Sequence, residues 1–113
     1  MKDNIQRTDY GYEIIWADTD TYCGKILVFE SKGGKLPLHF HKTKNKSWFV
    51  NAGTFNVRWI NTVEGKVYEQ ELPEGSTFTI PSLMPVMLES LSDNGAIAEA
   101  SDKSQIDDFY RLG

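Results

Sequence analysis

The amino-acid sequence predicts an all-β domain of the barrel or sandwich class. Short runs rich in β-branched and aromatic residues recur along the chain, and glycine, proline, asparagine or aspartate bounds most of them. No stretch with helical periodicity exceeds about a dozen residues. Many short strands separated by turns favour a closed or two-layered arrangement, because that arrangement buries strand faces and hides sheet edges.

The length of 113 residues fits a single domain. Residues 1–10 are polar and without periodicity, so we interpret them as an N-terminal tail or an edge segment, followed by one domain over residues 11–113. The predicted strands of that domain are, in order, 12–16, 22–30, 36–41, 48–50, 55–60, 67–72, 77–80, 86–91 and 96–100.

Alternation and turn chemistry justify these strands. In the second strand, Leu27 and Phe29 face one side of an extended chain and Val28 faces the other. Turn residues separate the strands at 18–20, 31–35, 42–46, 51–53, 64–65, 73–75 and 93–95. A short helical turn is predicted around residues 104–110, with Asp102 or Ser104 as its cap.

Composition and charge exclude several classes of function. Sixteen acidic residues against twelve Lys plus Arg give a net charge of −4, whereas phosphate-backbone binding needs clustered positive charge, so we expect no nucleic-acid partner. Cys23 is the only cysteine, which excludes an intramolecular disulfide and favours a reducing, cytoplasmic location. No apolar run approaches the roughly 18 residues of a membrane span, and residues 1–7 lack a hydrophobic targeting core, so no membrane partner is expected.

The sequence His39-Phe40-His41 carries most of the chemical information. Residues two apart in a strand point to the same face, where two imidazoles can share a metal ion or a proton. The alternative is a pair of hydrogen-bonded polar residues that face solvent.

The intervals around these histidines match a known motif. Gly33, His39, His41, Lys46 and Gly53 are separated by five, one, four and six residues. This spacing resembles the first sequence motif of the cupin family, in which a glutamate, a metal ligand, stands where this chain has Lys46.

A second motif of the same family is present in part. Gly75 and Pro81 resemble its opening, but Leu83, Val86 and Ser90 stand where its glycine, its histidine ligand and its asparagine are expected. The resemblance spans about residues 22–100 and implies a double-stranded β-helix, the cupin form of the jelly-roll barrel.

Three segments resemble the short sugar-phosphate isomerase-like cupins, especially the type II mannose-6-phosphate isomerase domain. They are residues 11–13, 33–53 and 107–111. This likeness implies a sugar or sugar-phosphate ligand inside the barrel. Because cupins commonly pair through an edge strand or a sheet face, the resemblance also implies a homodimer.

The metal-ligand set implied by the cupin motifs is incomplete. His39 and His41 are the two candidate metal ligands, whereas a catalytic site usually has three protein ligands and an open position. An inward-pointing Lys46 ammonium about 4 Å from a divalent ion would repel it by about 8 kcal/mol at an effective dielectric of about 20. An acid or Cys23 on a neighbouring strand would be needed to complete the set, so the expected cofactor is none or one divalent metal ion.

Other side chains are candidates for ligand binding. Lys42, Lys44 and Lys46 form either a solvated loop or a cationic rim that attracts an anionic ligand. Trp48 and Trp59 are either core residues or aromatic walls of a sugar pocket. Glu89 faces inward only if the register of its strand allows it.

The sequence therefore predicts a cupin barrel that binds a small polar, sugar-like ligand. His39, His41, Lys46, Trp48 and Trp59 are the expected binding residues. The alternatives are a metal-dependent, sugar-phosphate isomerase-like enzyme, in which His39 and His41 hold the metal, and a structural barrel filled by its own side chains. The sequence does not decide whether the protein is an enzyme.

Overall fold

The computed structural model describes residues 4–103 and 108–112, and within those ranges the chain forms strands and turns without an α-helix. The strands are β1 (Ile5–Arg7), β2 (Gly11–Asp18), β3 (Tyr22–Phe29), β4 (Lys35–Phe40), β5 (Lys46–Ala52), β6 (Phe55–Asn61), β7 (Lys66–Leu72), β8 (Thr77–Ile80), β9 (Val86–Ser90), β10 (Gly95–Asp102) and β11 (Tyr110–Arg111).

Two antiparallel sheets form the two layers of the molecule. One sheet has the strand order β1-β2-β3-β10-β5-β8, and the other has the order β11-β4-β9-β6-β7. Strands that follow each other in sequence, such as β4 and β5, often lie in opposite sheets, as the closing connections of a jelly roll require. The predicted all-β, two-layered architecture is confirmed.

The hydrophobic core lies between the sheets because alternate residues of each strand face inward. In β5, for example, Trp48 and Val50 are buried whereas Ser47 and Phe49 are exposed. Phe29 and Phe55 meet edge-on across the core, with ring centroids 5.0 Å apart. The buried core cluster consists of Tyr10, Leu27, Phe29, Trp48, Val50, Phe55, Val57, Leu72, Ile80, Val86, Leu88 and Ile97.

The turn at 64–65 joins β6 to β7 as the sequence predicts. The strands pair with Asn61 opposite Lys66, and Gly65 takes a positive φ of 70°, a conformation that glycine adopts without steric strain. This hairpin extends the five-stranded sheet.

The two chain ends add edge strands. Ile5–Arg7 pairs with β2, and Tyr110–Arg111 pairs with β4, with Tyr110 opposite Phe40. The helical turn predicted around 104–110 falls mainly on residues 104–107, which lie outside the described residues. Of its remaining part, Tyr110 is in a strand.

Leu83 has a backbone conformation that is rare for a side chain of its kind. Its φ is 71°, and its N–H donates to the carbonyl of His41 at 2.6 Å. This is the position where the second cupin motif expects glycine, so Leu83 keeps the turn geometry without the residue that best suits it.

In the part of the chain that the structure describes, no helix has the length and hydrophobicity needed to cross a membrane.

Candidate functional site

The two histidines meet a lysine from the opposite sheet. His39 lies in β4 and His41 follows its end, while Lys46 begins β5. The imidazole centroids are 5.3 Å apart and nearly perpendicular. His39 and Lys46 are both buried, so the site lies between the sheets and away from bulk water.

Backbone carbonyls fix the tautomer of each imidazole. Nδ1 of His39 lies 2.7 Å from the carbonyl oxygen of Pro37, and Nδ1 of His41 lies 2.5 Å from that of Asp108. Because a carbonyl accepts only, each Nδ1 carries the proton. Both Nε2 atoms are therefore unprotonated and have a lone pair to offer.

The Lys46 ammonium takes up both of those lone pairs. Its Nζ is 2.8 Å from Nε2 of His39 and 3.4 Å from Nε2 of His41, so it donates to both rings. Lys46 Nζ also lies 4.0 Å from Oε1 of Glu99. The two imidazoles accept two of the three ammonium protons, and Glu99 is an ion-pair partner beyond hydrogen-bond distance.

Glu99 of the neighbouring strand β10 and Trp48 of β5 itself support the lysine. They are directly opposite each other in the β10–β5 pairing, and the indole N–H of Trp48 donates to Oε1 of Glu99 at 2.8 Å. The Trp48 ring centre is 5.1 Å from Nζ of Lys46, within the range of a cation–π contact. Lys46 therefore has favourable contacts on several sides.

Burial and charge shift the protonation equilibria of the site in a consistent direction. Burial, followed by the nearby Lys46 charge, lowers the pKa of His39 to about 3 and that of His41 to about 4, so both rings are neutral at pH 7. Burial also lowers the pKa of Lys46, to about 8, against the opposing effect of Glu99. Burial alone would raise the pKa of Glu99, but the charges of Lys46 and Lys44 hold it below its usual value.

A cavity of about 70 Å³ opens beside this cluster, and we call it the central cavity. Its lining residues are Tyr10, Glu13, Lys25, Leu27, Leu36, His39, His41, Lys44, Lys46, Glu99 and Phe109. Three lysines against two glutamates, with neutral imidazoles, leave one net positive charge on its wall. Glu13 accepts hydrogen bonds from the Tyr10 hydroxyl at 3.0 Å and from Nζ of Lys25 at 3.3 Å.

The segment after β4 is held in place by a carboxylate near the C-terminus. Asp108 accepts from the backbone N–H groups of Lys42 and Thr43 and from the Thr43 hydroxyl, at 2.7, 3.2 and 2.8 Å. The next residue, Phe109, stacks on the His39 ring with centroids 4.7 Å apart. Phe109 is 47% exposed, so the central cavity meets the surface at this ring.

The structure brings together three of the five predicted binding residues on the central cavity, namely His39, His41 and Lys46. Trp48 is buried in the core cluster and reaches the site through Lys46 and Glu99. Trp59 lies elsewhere: it stacks on Tyr68 and lines a separate pocket of about 220 Å³.

The strand register also locates Val86 and Glu89, two residues of β9 that the sequence singled out. Val86, where the second cupin motif expects a histidine ligand, lies opposite His39 in the β4–β9 pairing and is fully buried. Glu89 is out of phase with the buried residues Val86, Leu88 and Ser90 of β9.

Sequence reasoning missed Glu99, Lys25, Glu13 and Tyr10. The sequence does contain a signal for Glu99. It lies two residues after Ile97 in β10, so the two side chains share the inward face of a strand whose other residues are mostly small. Lys25, Glu99 and Trp48 lie side by side across β3, β10 and β5, a row that only the strand order reveals.

The donor set does not fit a metal ion. Both imidazole lone pairs are occupied by the Lys46 ammonium, and a cation placed between them would face that positive charge at close range. Among the residues at 4–103 and 108–112, no group of three or more His, Cys, Asp or Glu side chains is arranged to hold a metal. The Lys46 ammonium thus lies between the two imidazoles as a cation that belongs to the chain itself.

Solved structures share this fold at low sequence identity. The capsular polysaccharide assembling protein CapF from Staphylococcus aureus aligns with a TM-score of 0.80 and 20% identity, over 96% of this chain and 32% of its own. KdgF from Halomonas sp. aligns with a TM-score of 0.77 and 20% identity, over 91% of this chain and 88% of its own.

Oxalate decarboxylase from Bacillus subtilis has a TM-score of 0.83 and 14% identity, with 96% of this chain and 29% of that chain covered. The chain thus spans about a third of CapF and of oxalate decarboxylase, and most of KdgF. No curated protein sequence matches the chain.

The family comparison covers most of the molecule. The sequence model described as cupin matches residues 24–107, a range that holds both histidines, Lys46 and Glu99. The matched range and the two-sheet barrel agree with each other, and the chain belongs to the cupin family.

Proposed function

We propose that this cupin binds a small polar ligand through an anionic group, a carboxylate or a phosphate, without using a metal ion. The ligand class that we favour is a sugar acid or sugar phosphate. The observation that carries the proposal is the Lys46 ammonium, which is held between two neutral imidazoles on the wall of a cavity with one excess positive charge.

Cavity size limits which part of the ligand enters. A volume of about 70 Å³ is of the order of two water molecules in the liquid, each of which takes roughly 30 Å³. A carboxylate or phosphate group fits such a space, whereas a whole sugar ring does not. The ring would therefore rest at the mouth, against the half-exposed face of Phe109.

The fold neighbours support a carbohydrate-derived ligand. CapF is named as a capsular polysaccharide assembling protein, and its structure aligns over 96% of this chain. The resemblance to sugar-phosphate isomerase-like cupins favours the same ligand class.

Ligand-dependent thermal stability tests the proposal. A ligand that binds only the folded state at 100 times its Kd stabilises it by about 2.7 kcal/mol, which raises the Tm of a domain of this size by about 10 °C. Sugar acids and sugar phosphates should raise the Tm of the wild type and of the surface variant Lys66→Met. They should have no effect on Lys46→Met or Lys44→Met. If no anionic sugar raises the wild-type Tm, anion binding in the central cavity is wrong.

Metal analysis separates this proposal from the isomerase-like alternative. We expect less than a stoichiometric amount of Zn, Mn, Fe or Ni in protein purified without chelator, because Lys46 competes for both imidazoles. One equivalent of metal that is lost in His39→Ala would instead favour a metal-dependent sugar-phosphate isomerase and overturn the metal-free site.

A further inference from the structure

We propose that Nζ of Lys46 is also a nucleophile, which condenses with the carbonyl group of a small oxo acid to form an imine. An oxo acid here is an aldehyde or ketone that also carries a carboxylate. This inference rests on the proposed function, because the carboxylate must first bind in the central cavity.

The position of the amine favours a covalent role. Nζ of Lys46 lies on the wall of the central cavity, and its side chain is 3% exposed, so a carbonyl that enters would meet it in a site with little water. Low water content slows the hydrolysis of an imine once it has formed.

The surroundings favour the neutral amine that the step needs. An ammonium must lose a proton before its nitrogen can attack, and burial beside a second cation, Lys44, on the wall of the same cavity disfavours the charged form of Lys46. Glu99, 4.0 Å from Nζ, would stabilise the positive charge that the site retains.

The atoms and charges of the step balance without any other reagent. Lys46 first loses one proton to water, and its nitrogen lone pair then forms a bond to the carbonyl carbon while the C=O π pair moves to oxygen. The oxygen receives one proton back from water and a second one from nitrogen, and the C–O bond breaks to release water. The product is a protonated imine, so one positive charge enters the step and one leaves it.

A second cation is placed to hold the carboxylate. Lys44 is buried and lines the same cavity, and its charge is one of those that lower the pKa of Lys46 and of His41. A molecule with its carbonyl next to its carboxylate would therefore present both groups within the small cavity volume. The expected class is a short 2-oxo acid.

Reductive trapping tests the inference on the folded wild-type protein. The protein is incubated with pyruvate or glyoxylate and sodium cyanoborohydride, which reduces an imine to a stable secondary amine, and the modified lysine is mapped by peptide mass spectrometry. We expect Lys46 to be labelled before the exposed Lys32, Lys35 and Lys66. Lys44→Met, which removes the neighbouring cation, should slow this labelling by roughly tenfold, and Lys66→Met should leave it unchanged.

Three outcomes would overturn the inference, and none depends on a variant that might misfold. Labelling spread over the exposed lysines, with Lys46 not preferred, would show that the amine has no special reactivity. If lactate, which lacks the carbonyl, and pyruvate raise the Tm equally while Lys46 stays unlabelled, the imine is wrong and the anion site stands. If neither acid raises the Tm and Lys46 is unlabelled, the proposed anion site itself fails for this class.

Discussion

A single side chain changes the chemistry of this barrel. Lys46 occupies the position where the cupin motif carries a ligand carboxylate, and its ammonium binds the two imidazoles that would otherwise face a metal. A buried cation is tolerated only where acceptors surround it, since the cost of removing it from water is several kcal/mol. His39, His41 and Glu99 meet that need.

The pairing of Lys46 with Glu99 can be measured by a double-mutant cycle. Lys46→Met removes the cation paired with the buried Glu99 carboxylate, and Glu99→Gln removes the anion paired with the ammonium, so each single change should lower the free energy of unfolding by about 3 kcal/mol. The double variant should cost less than the sum, by about 1–3 kcal/mol. Urea denaturation of the four proteins measures the difference. Additive costs would show that the two groups act independently.

Leu83 offers a stabilising substitution. A non-glycine residue at φ 71° costs about 1–2 kcal/mol, whereas the greater flexibility of glycine in the unfolded chain costs about 0.5–1 kcal/mol. The Leu83 side chain is 57% exposed and loses little on removal. Leu83→Gly should therefore raise the free energy of unfolding by about 0.5–1 kcal/mol. Leu83→Ala keeps the strained backbone and serves as the control, and a gain as large in Leu83→Ala would contradict the explanation.

At the level of elements, strand periodicity made part of the site predictable. His39 and His41 face the same cavity because residues two apart in an extended segment share a face, and the interval to Lys46 brings the next strand back to them. Glu99 could not be assigned in the same way. Its place beside Trp48 depends on β10 pairing between β3 and β5, a contact between distant parts of the sequence.

The segment between β4 and β5 depends on Asp108 for its position. Asp108→Ala removes three hydrogen bonds to Lys42 and Thr43, two of them to backbone N–H groups. We expect the amide hydrogens of these residues to exchange faster and anion binding to weaken, because Lys44 lies in the same segment. Hydrogen exchange measured by mass spectrometry would report the faster exchange of these amides.

Asp93→Ala is the matched control for that experiment. Asp93 accepts from the backbone N–H of Lys32, in the turn that precedes β4. Its loss should leave the exchange of Lys42 and Thr43 unchanged. Equal acceleration in both variants would mean that the effect is one of global stability.

For the whole molecule, two neutral histidines, one buried and one half-buried, make stability sensitive to acid. Their pKa values in the folded state, about 3 and about 4, lie below the ordinary value of 6.5. Between pH 6.5 and 5 the unfolded chain therefore binds more protons, and the free energy of unfolding falls as the pH falls. The largest slope for the buried His39 is about 1.4 kcal/mol per pH unit, and His41, which is less buried, contributes less.

Urea denaturation at several pH values between 7 and 5 measures that slope. His39→Gln should reduce it, because glutamine does not titrate. The carboxylates with lowered pKa, Glu99 and Asp108, lose their contribution at lower pH and stay outside this window. A flat profile from pH 6.5 to 5 would show that the imidazoles accept protons in the folded protein, contrary to an ammonium lying between them.

The overall architecture was predictable because each strand carries its own pattern of alternation and its own turn. The chemistry of the interior was harder to predict, since it depends on which way the Lys46 side chain points. The sequence alone left Lys46 as either a loop lysine or an inward cation, and burial between two sheets decides for the second.

The indole of Trp48 gives the protein a built-in optical reporter. It donates to Glu99 and lies 5.1 Å from the Lys46 charge, so its fluorescence should respond when that charge is lost or modified. The other two tryptophans are an exposed Trp16 and Trp59 in its separate pocket. Replacing both by phenylalanine would leave one fluorophore beside the cavity, and occupancy could then be followed in real time without an added label.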